Sequence, residues 1–207
     1  AELLKNAGFA LGDYREGSRS YRLQCEASPD LFLKVFHEKD IAIQVAIGNY
    51  DLGICRLDWL EELLTKYHSD AVVKVRDLGY GKRTIYAVVA KVSGPRSWEA
   101  MKSRSDRLRI VSEYPNLAEA FALKQRLRRF QIFPVWGSAA VYPPESAEMA
   151  IIAETSIERL SKQGLAPMAR LLESSACLVA NKDSLKKKEL SRLLSAISSS
   201  EVAGSDV

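Results

Sequence analysis

The chain has 207 residues, 47% of them apolar and 27% charged, ordinary proportions for a globular protein of one large or two small domains. Thirty Lys and Arg against 26 Asp and Glu leave a net charge of +4, too small an excess to point to nucleic acid. No stretch approaches the roughly 18 apolar residues of a membrane span, and a chain this long can hold a core without disulfides or metal.

No signal peptide is visible, and Glu2 to Gly8 reads as the end of a helix with a Gly stop, so the chain is expected to begin inside an element. Tyr21–Cys25 and Leu31–Phe36 read as strands, and Asp40 as the cap of a helix from Ile41 to Gly48. A short strand, Tyr50–Cys55, precedes an amphipathic helix, Leu57–Tyr67. In that helix Leu57, Leu60, Leu63 and Leu64 are expected inward, and Glu61, Glu62 and Lys66 outward. Strands at Ala71–Val75 and Thr84–Val92 flank a turn at Asp77–Lys82. Ser93-Gly94-Pro95 is the strongest boundary signal.

Beyond it the pattern predicts a helix at Trp98–Ser103, a strand at Leu108–Val111, a helix at Leu117–Arg129 and a strand at Phe130–Val135. Tyr142–Ser146 reads as a loop, and Ala147–Ile152 as a short helix or helix–strand junction. Pro167–Ser174 reads as a helix, Ala176–Ala180 as a strand and Leu185–Ile197 as a helix. Residues 198–207 read as a disordered tail. Alternating strands and helices imply α/β architecture with mixed, mainly parallel sheets. The expected lobes are 1–92 with 173–207, and 93–172. Ligands of such folds sit at the carboxyl ends of strands.

Cys25, Cys55 and Cys177 form no CxxC pair; three scattered, buried thiols suit a reducing, cytoplasmic setting. With only His37 and His68, a multi-histidine metal site is excluded. Gly79-Tyr80-Gly81 precedes a strand and fails as a dinucleotide fingerprint. Three stretches are candidates for anions: Asp51–Ile54 with Asp58 and Arg56, Gly137-Ser138 after a strand, and Thr155-Ser156 with Arg159. Each also reads as an ordinary connection, Ser156 being a plain helix cap over Arg159. The cationic run Lys124–Arg129 reads as the solvated face of a helix.

The chain resembles the short-form catalytic subunit of the ATP phosphoribosyltransferase family from about Gly17 to Leu185. The segments that carry the likeness are Asp51-Leu52-Gly53-Ile54 with Leu57–Glu62, and Asp77–Gly81. They continue with Glu113-Tyr114-Pro115-Asn116-Leu117 and with Glu173-Ser174-Ser175-Ala176 running on to Leu178–Asn181, all in the family's order. The resemblance implies two lobes like type-2 periplasmic binding proteins. It implies attack of the adenine N1 of ATP on C1 of phosphoribosyl pyrophosphate, with Mg²⁺, in histidine biosynthesis. It also implies a homodimer that joins a histidyl-tRNA-synthetase-like regulatory subunit, with no nucleic-acid or membrane partner. By the same likeness Glu113 is the catalytic residue, and Asp51, Gly53, Tyr114, Gly137, Ser138, Thr155, Ser156 and Arg159 line the substrates.

The departures gather at the family's sugar-phosphate loop, Asp-Leu-Val-x-Thr-Gly-Thr-Thr-Leu. Here it runs from Ile152 to Leu160, with Ile152 for the Asp, Ile157 for the Gly and Glu158 for a Thr. Ala140 replaces the Glu of Gly-Ser-x-Glu, Arg56 replaces a Gly and Lys39 an Arg. An impaired paralogue acting as a ligand-binding or regulatory subunit, and a two-lobed module for another small anion, are the alternatives.

Overall fold

The structure is a computed structural model that describes residues 2–9, 21–25, 28–92 and 97–199. In chain order it contains α1 (Glu2–Asn6), β1 (Arg22–Gln24), β2 (Phe32–Lys34), α2 (Glu38–Ala46), β3 (Leu52–Arg56) and α3 (Leu57–Tyr67). There follow β4 (Val72–Asp77), β5 (Arg83–Ala90), α4 (Trp98–Lys102), β6 (Leu108–Ser112), α5 (Pro115–Lys124) and β7 (Phe130–Pro134). A 3₁₀ turn at Ala139–Val141 leads to β8 (Met149–Glu154), α6 (Ile157–Lys162), β9 (Leu165–Ser174), β10 (Ala176–Asn181), α7 (Lys182–Lys187) and α8 (Ser191–Ser199).

Two compact units result: one from Ala1–Arg56, Ser69–Tyr80 and Ala176–Val207, the other from Leu57–His68 and Gly81–Ser175. In the first, β10 is the centre of a three-stranded sheet, β3-β10-β4, antiparallel to both neighbours. All six residues of β10 are buried, as expected of a strand covered on both faces. Leu3, Leu178 and Ile197 form one cluster there, with Leu52, Ile54, Leu78 and Tyr80 packed against it. Helix α2 lies close on this sheet, because Gly53 has no side chain to hold it off. A Cβ on Gly53 would meet Ile41 Cγ2 at 2.7 Å and Val45 Cγ2 at 2.9 Å.

The second unit is built on a five-stranded sheet ordered β7-β6-β8-β5-β9. Strands β5, β6 and β8 alternate between two cores. Ile85, Ala87, Val89, Leu108, Ile110, Met149 and Ile151 face one cluster together with Trp59, Tyr114 and Phe121. Tyr86, Val88, Val111, Ala150 and Ile152 face the other together with Leu160 and Ala139.

The α/β class and mixed sheets agree with the sequence, but the parallel share is smaller than expected. Among the described strands only β6 pairs in parallel, with β7 and β8; the rest pair antiparallel. Pro167–Ser174, expected as a helix, belongs to the strand β9, which pairs with β5 along its length. As the sheet's outermost strand it tolerates Pro167, whose missing N–H needs no ladder partner. Strand β5, expected with the first lobe, lies in the second unit's sheet between β8 and β9. Ser93-Gly94-Pro95 lies outside the described residues, as does the tail from residue 200.

Other boundaries also differ. Helix α2 begins at Glu38 with His37 at its N-cap and no side-chain cap; Asp40 sits in the first turn. Ala147–Ile152 overlaps the strand β8, because a short apolar run does not by itself distinguish strand from helix. The expected helix Leu185–Ile197 is two helices, α7 and α8. The three cysteines are buried and form no disulfide.

Gly53→Ala is expected to destabilise the protein by about 1–3 kcal/mol, because branched methyls on α2 have to move. Urea unfolding, reading the midpoint with an unchanged slope, measures it.

Candidate functional site at the strand ends

The parallel strands β6, β7 and β8 point their carboxyl ends the same way. Ser112 at the end of β6 is in register with Pro134 and with Ile151. Glu113 follows β6, Gly137-Ser138 follows β7 and Thr155-Ser156 follows β8, so one end of one sheet gathers these sequence candidates. This is where ligands of open α/β sheets bind.

Glu113 is half-buried, and both of its neighbours are pinned. The Ser112 hydroxyl donates to the Ile151 carbonyl at 2.9 Å and accepts the Tyr114 N–H at 2.8 Å. Tyr114 is buried, its ring 4.5 Å from that of Trp59, and its hydroxyl donates to Asp58 Oδ2 at 3.2 Å. Tyr114, expected to line the substrates, is thus anchored in the core. Asp58, fully buried, accepts the Trp59 N–H at 2.8 Å while its own N–H donates to Ser174 Oγ.

Glu62, expected outward, is buried as well. Its carboxylate accepts the N–H groups of Asn116 at 2.8 Å and Leu117 at 2.9 Å, the first free donors of α5. The positive end of α5 is thus already met by a side-chain anion. Burial pushes the Glu62 carboxyl above its ordinary value of 4.5, against the pull of those two N–H groups and of Lys66.

Gly137 and Ser138 both have positive φ, +137° and +56°. Ser138 is an L residue held in the left-handed region, a conformation that costs on the order of 1 kcal/mol and concentrates at functional sites. Beside them Trp136 is 87% exposed.

The loop after β8 is organised around a residue the sequence did not single out, Glu154. Its carboxylate accepts the Thr155 N–H at 2.8 Å, the Thr155 hydroxyl at 3.2 Å and the Gln163 amide at 3.1 Å. It also pairs with Arg159 Nε at 3.0 Å. Ser156 caps α6, accepting the Arg159 N–H, as expected. Thr155 and Arg159, two of the expected phosphate contacts, are therefore satisfied by an internal anion. Ile152 is buried in the core. The one signal for Glu154 was its place directly before Thr155-Ser156, at a strand end.

Asp51 and Gly53 lie in the other unit. Asp51 Oδ1 accepts the Ser184 hydroxyl at 2.6 Å, and the carboxylate pairs with Lys188 at 2.8 Å. Burial raises the Asp51 pKa, but those hydrogen bonds and the Lys188 charge outweigh it and hold the group below its ordinary range. Both residues serve local packing, Gly53 under α2 and Asp51 on α7. Arg56, a candidate cation, pairs with Glu38 at 3.2 Å. Among the described residues, no three His, Cys, Asp or Glu side chains group to hold a metal ion, and no helix is long and apolar enough to cross a membrane.

A two-unit α/β protein with loops converging at parallel strand ends belongs to the class that binds small molecules there. Residues 37–199 match the family model described as ATP phosphoribosyltransferase. The chain belongs to that family. A protein named ATP phosphoribosyltransferase from Chlorobium phaeobacteroides is 29% identical over 199 residues, covering 93% of this chain and 64% of that protein. Another of the same name, from Halothermothrix orenii, is 27% identical, covering 95% of this chain and 86% of its own. The chain thus spans less than two thirds of the Chlorobium relative. In fold it resembles a chain of the ATP phosphoribosyl transferase (HisG:HisZ) complex from Thermotoga maritima, with a TM-score of 0.75 and 16% identity. That match covers 96% of this chain and 92% of the other.

Glu62 makes the stability pH-dependent. Its folded pKa is raised, so its contribution is complete below about 4.5 and is lost as pH rises through the folded value. Glu62→Gln, the isostere of the protonated acid, removes this dependence and leaves the stability at low pH little changed. Urea midpoints measured from pH 4 upward should fall for the native chain relative to the variant.

Proposed function

We propose that the chain is the catalytic subunit of an ATP phosphoribosyltransferase, acting in the first step of histidine biosynthesis in the cytoplasm. The reaction joins N1 of the adenine of ATP to C1 of phosphoribosyl pyrophosphate. The C1–oxygen bond to the diphosphate breaks, pyrophosphate leaves, and the adenine amino group gives up a proton. What supports this reading is the convergence of Glu113, Gly137-Ser138 and Thr155-Ser156 at one sheet end, within a chain of this family.

Sugar transfer of this kind passes through a cation-like ribosyl group, so catalysis is positioning and charge stabilisation. Glu113 suits it. Its flanking residues are locked, and its carboxylate makes no hydrogen bond or ion pair with the described residues. It stabilises the developing positive charge and is placed to take the amino proton. The Ser138 and Thr155 loops hold the donor's phosphates. A magnesium ion, held largely by the donor's phosphates and water, would offset the negative charge of the leaving diphosphate. The chain pairs with a second copy and with a regulatory subunit resembling histidyl-tRNA synthetase.

In this reading the donor's phosphate competes with Glu154 for the Thr155 donors and for Arg159. Glu154→Gln, which removes the internal anion, is expected to lower the KM for phosphoribosyl pyrophosphate about fivefold, equivalent to ~1 kcal/mol. Glu113→Gln is expected to lower kcat about a hundredfold with little change in KM or in the unfolding midpoint. Pyrophosphate release with ATP, phosphoribosyl pyrophosphate and Mg²⁺ measures both. A folded chain that binds no phosphoribosyl pyrophosphate by calorimetry, with or without the regulatory subunit, would refute the reading.

A further inference from the structure

The cationic run Lys124–Arg129, expected on a helix face, does something else. Helix α5 stops at Lys124, and Gln125 is its C-cap. Arg126 turns left-handed at φ +57°, and buried Leu127 returns its N–H to the Ala122 carbonyl at 3.1 Å. The next two residues, Arg128 and Arg129, are delivered to the amino end of β7. There Phe130 is in register with Leu108, which sets Arg129 beside Arg107, one strand spacing apart, about 4.8 Å.

Two like charges so placed repel unless an anion separates them. Among the described residues no carboxylate lines the hollow that they share with Ser105, Arg128 and Phe130, about 430 Å³ in volume. Arg129 is held by the Ser105 carbonyl at 2.9 Å and Arg107 by the Gln131 side-chain oxygen at 3.2 Å. Both partners are neutral, so they fix the guanidinium groups without cancelling their charge. Arg128 has no hydrogen bond or ion pair among the described residues. An adjoining hollow of about 350 Å³ adds Lys102 and Arg104, the latter paired with Asp106. Among the described residues the two hollows are lined by five cations and one carboxylate, Asp106; Glu148, outside the lining, also pairs with Arg104.

We infer that this hollow, at the amino ends of β6 and β7, binds a diphosphate group, either free or carried by a nucleoside. Guanidinium forks bind phosphate oxygens two at a time, and a diphosphate offers oxygens to all three arginines at once. The volume suits a small molecule, and the half-buried Phe130 ring gives a nucleoside an apolar wall. The cations sit in a hollow and not along an extended stripe, which favours a compact anion over a nucleic-acid strand. The site is at the opposite end of the sheet from Glu113 and stands independently of the proposed transferase activity.

The test is a titration of the ¹⁵N-labelled full chain at constant ionic strength, following the arginine Nε–Hε signals by NMR. Inorganic pyrophosphate and ADP are each expected to shift the signals of Arg107, Arg128 and Arg129 saturably, and adenosine is not. ADP binding several-fold tighter than pyrophosphate would assign a nucleoside-borne ligand; equal binding would assign the free diphosphate. Backbone signals of Gly137 and Thr155 report separately on the strand-end site. The double variant Arg128→Gln, Arg129→Gln is expected to weaken the arginine-site binding at least tenfold and to leave the Gly137 and Thr155 responses unchanged. Shifts no larger than chloride produces, or an unchanged affinity in the folded variant, would overturn the assignment. So would a short single-stranded oligonucleotide that binds these arginines more tightly than pyrophosphate does.

Discussion

Two carboxylates one turn apart on α3 determine where the candidate site sits. Asp58 takes the Tyr114 hydroxyl and Glu62 takes the first two free N–H groups of α5. Between them they fix the turn from β6 into α5, and Glu113 lies in that turn. Burying two acids is costly unless each finds donors, and here each does. No side-chain polar atom is left buried without a partner among the described residues. The same contacts therefore maintain the core and orient Glu113, a half-buried carboxylate at the carboxyl end of the sheet.

The anion chemistry of the second unit is divided between two ends of one sheet. At the carboxyl ends, an internal glutamate occupies the donors of the loop after β8. At the amino ends, arginines face one another without a carboxylate in their hollow. Family membership draws attention to the first place; the charge arrangement draws it to the second. The substitutions in the sugar-phosphate loop gain meaning from Glu154, since the loop keeps a negative group among its donors, supplied by the chain itself.

Much of this was legible in the sequence because local pattern and tertiary structure agree. The helix Leu57–Tyr67, the strands around Thr84 and Leu108, and the Ser156 cap follow from periodicity and capping chemistry. Glu62 was misplaced because its helical position is polar in any local reading; only α5, more than fifty residues away in sequence, gives it a reason to be buried. Pro167–Ser174 misled because proline and scattered leucines resemble a helix start, and the identity of an edge strand is a property of the whole sheet. Tyr114, Asp51 and Gly53 were expected to line the substrates; in the structure their visible contacts are internal, Tyr114 to Asp58, Asp51 to Ser184 and Lys188, and Gly53 beneath α2. The arginine hollow was hidden for a similar reason, since nothing local marks Arg126 as the left-handed residue that follows the helix cap.

The five-stranded sheet is bounded by β7 and β9, and each of these outer strands carries a proline, Pro134 and Pro167. A proline there withholds a hydrogen-bond donor from any strand that would extend the sheet. Neither border offers an unbroken template for another chain to zip onto. Association of copies is thereby steered away from runaway sheet extension and toward contacts made by side chains, which can be selective.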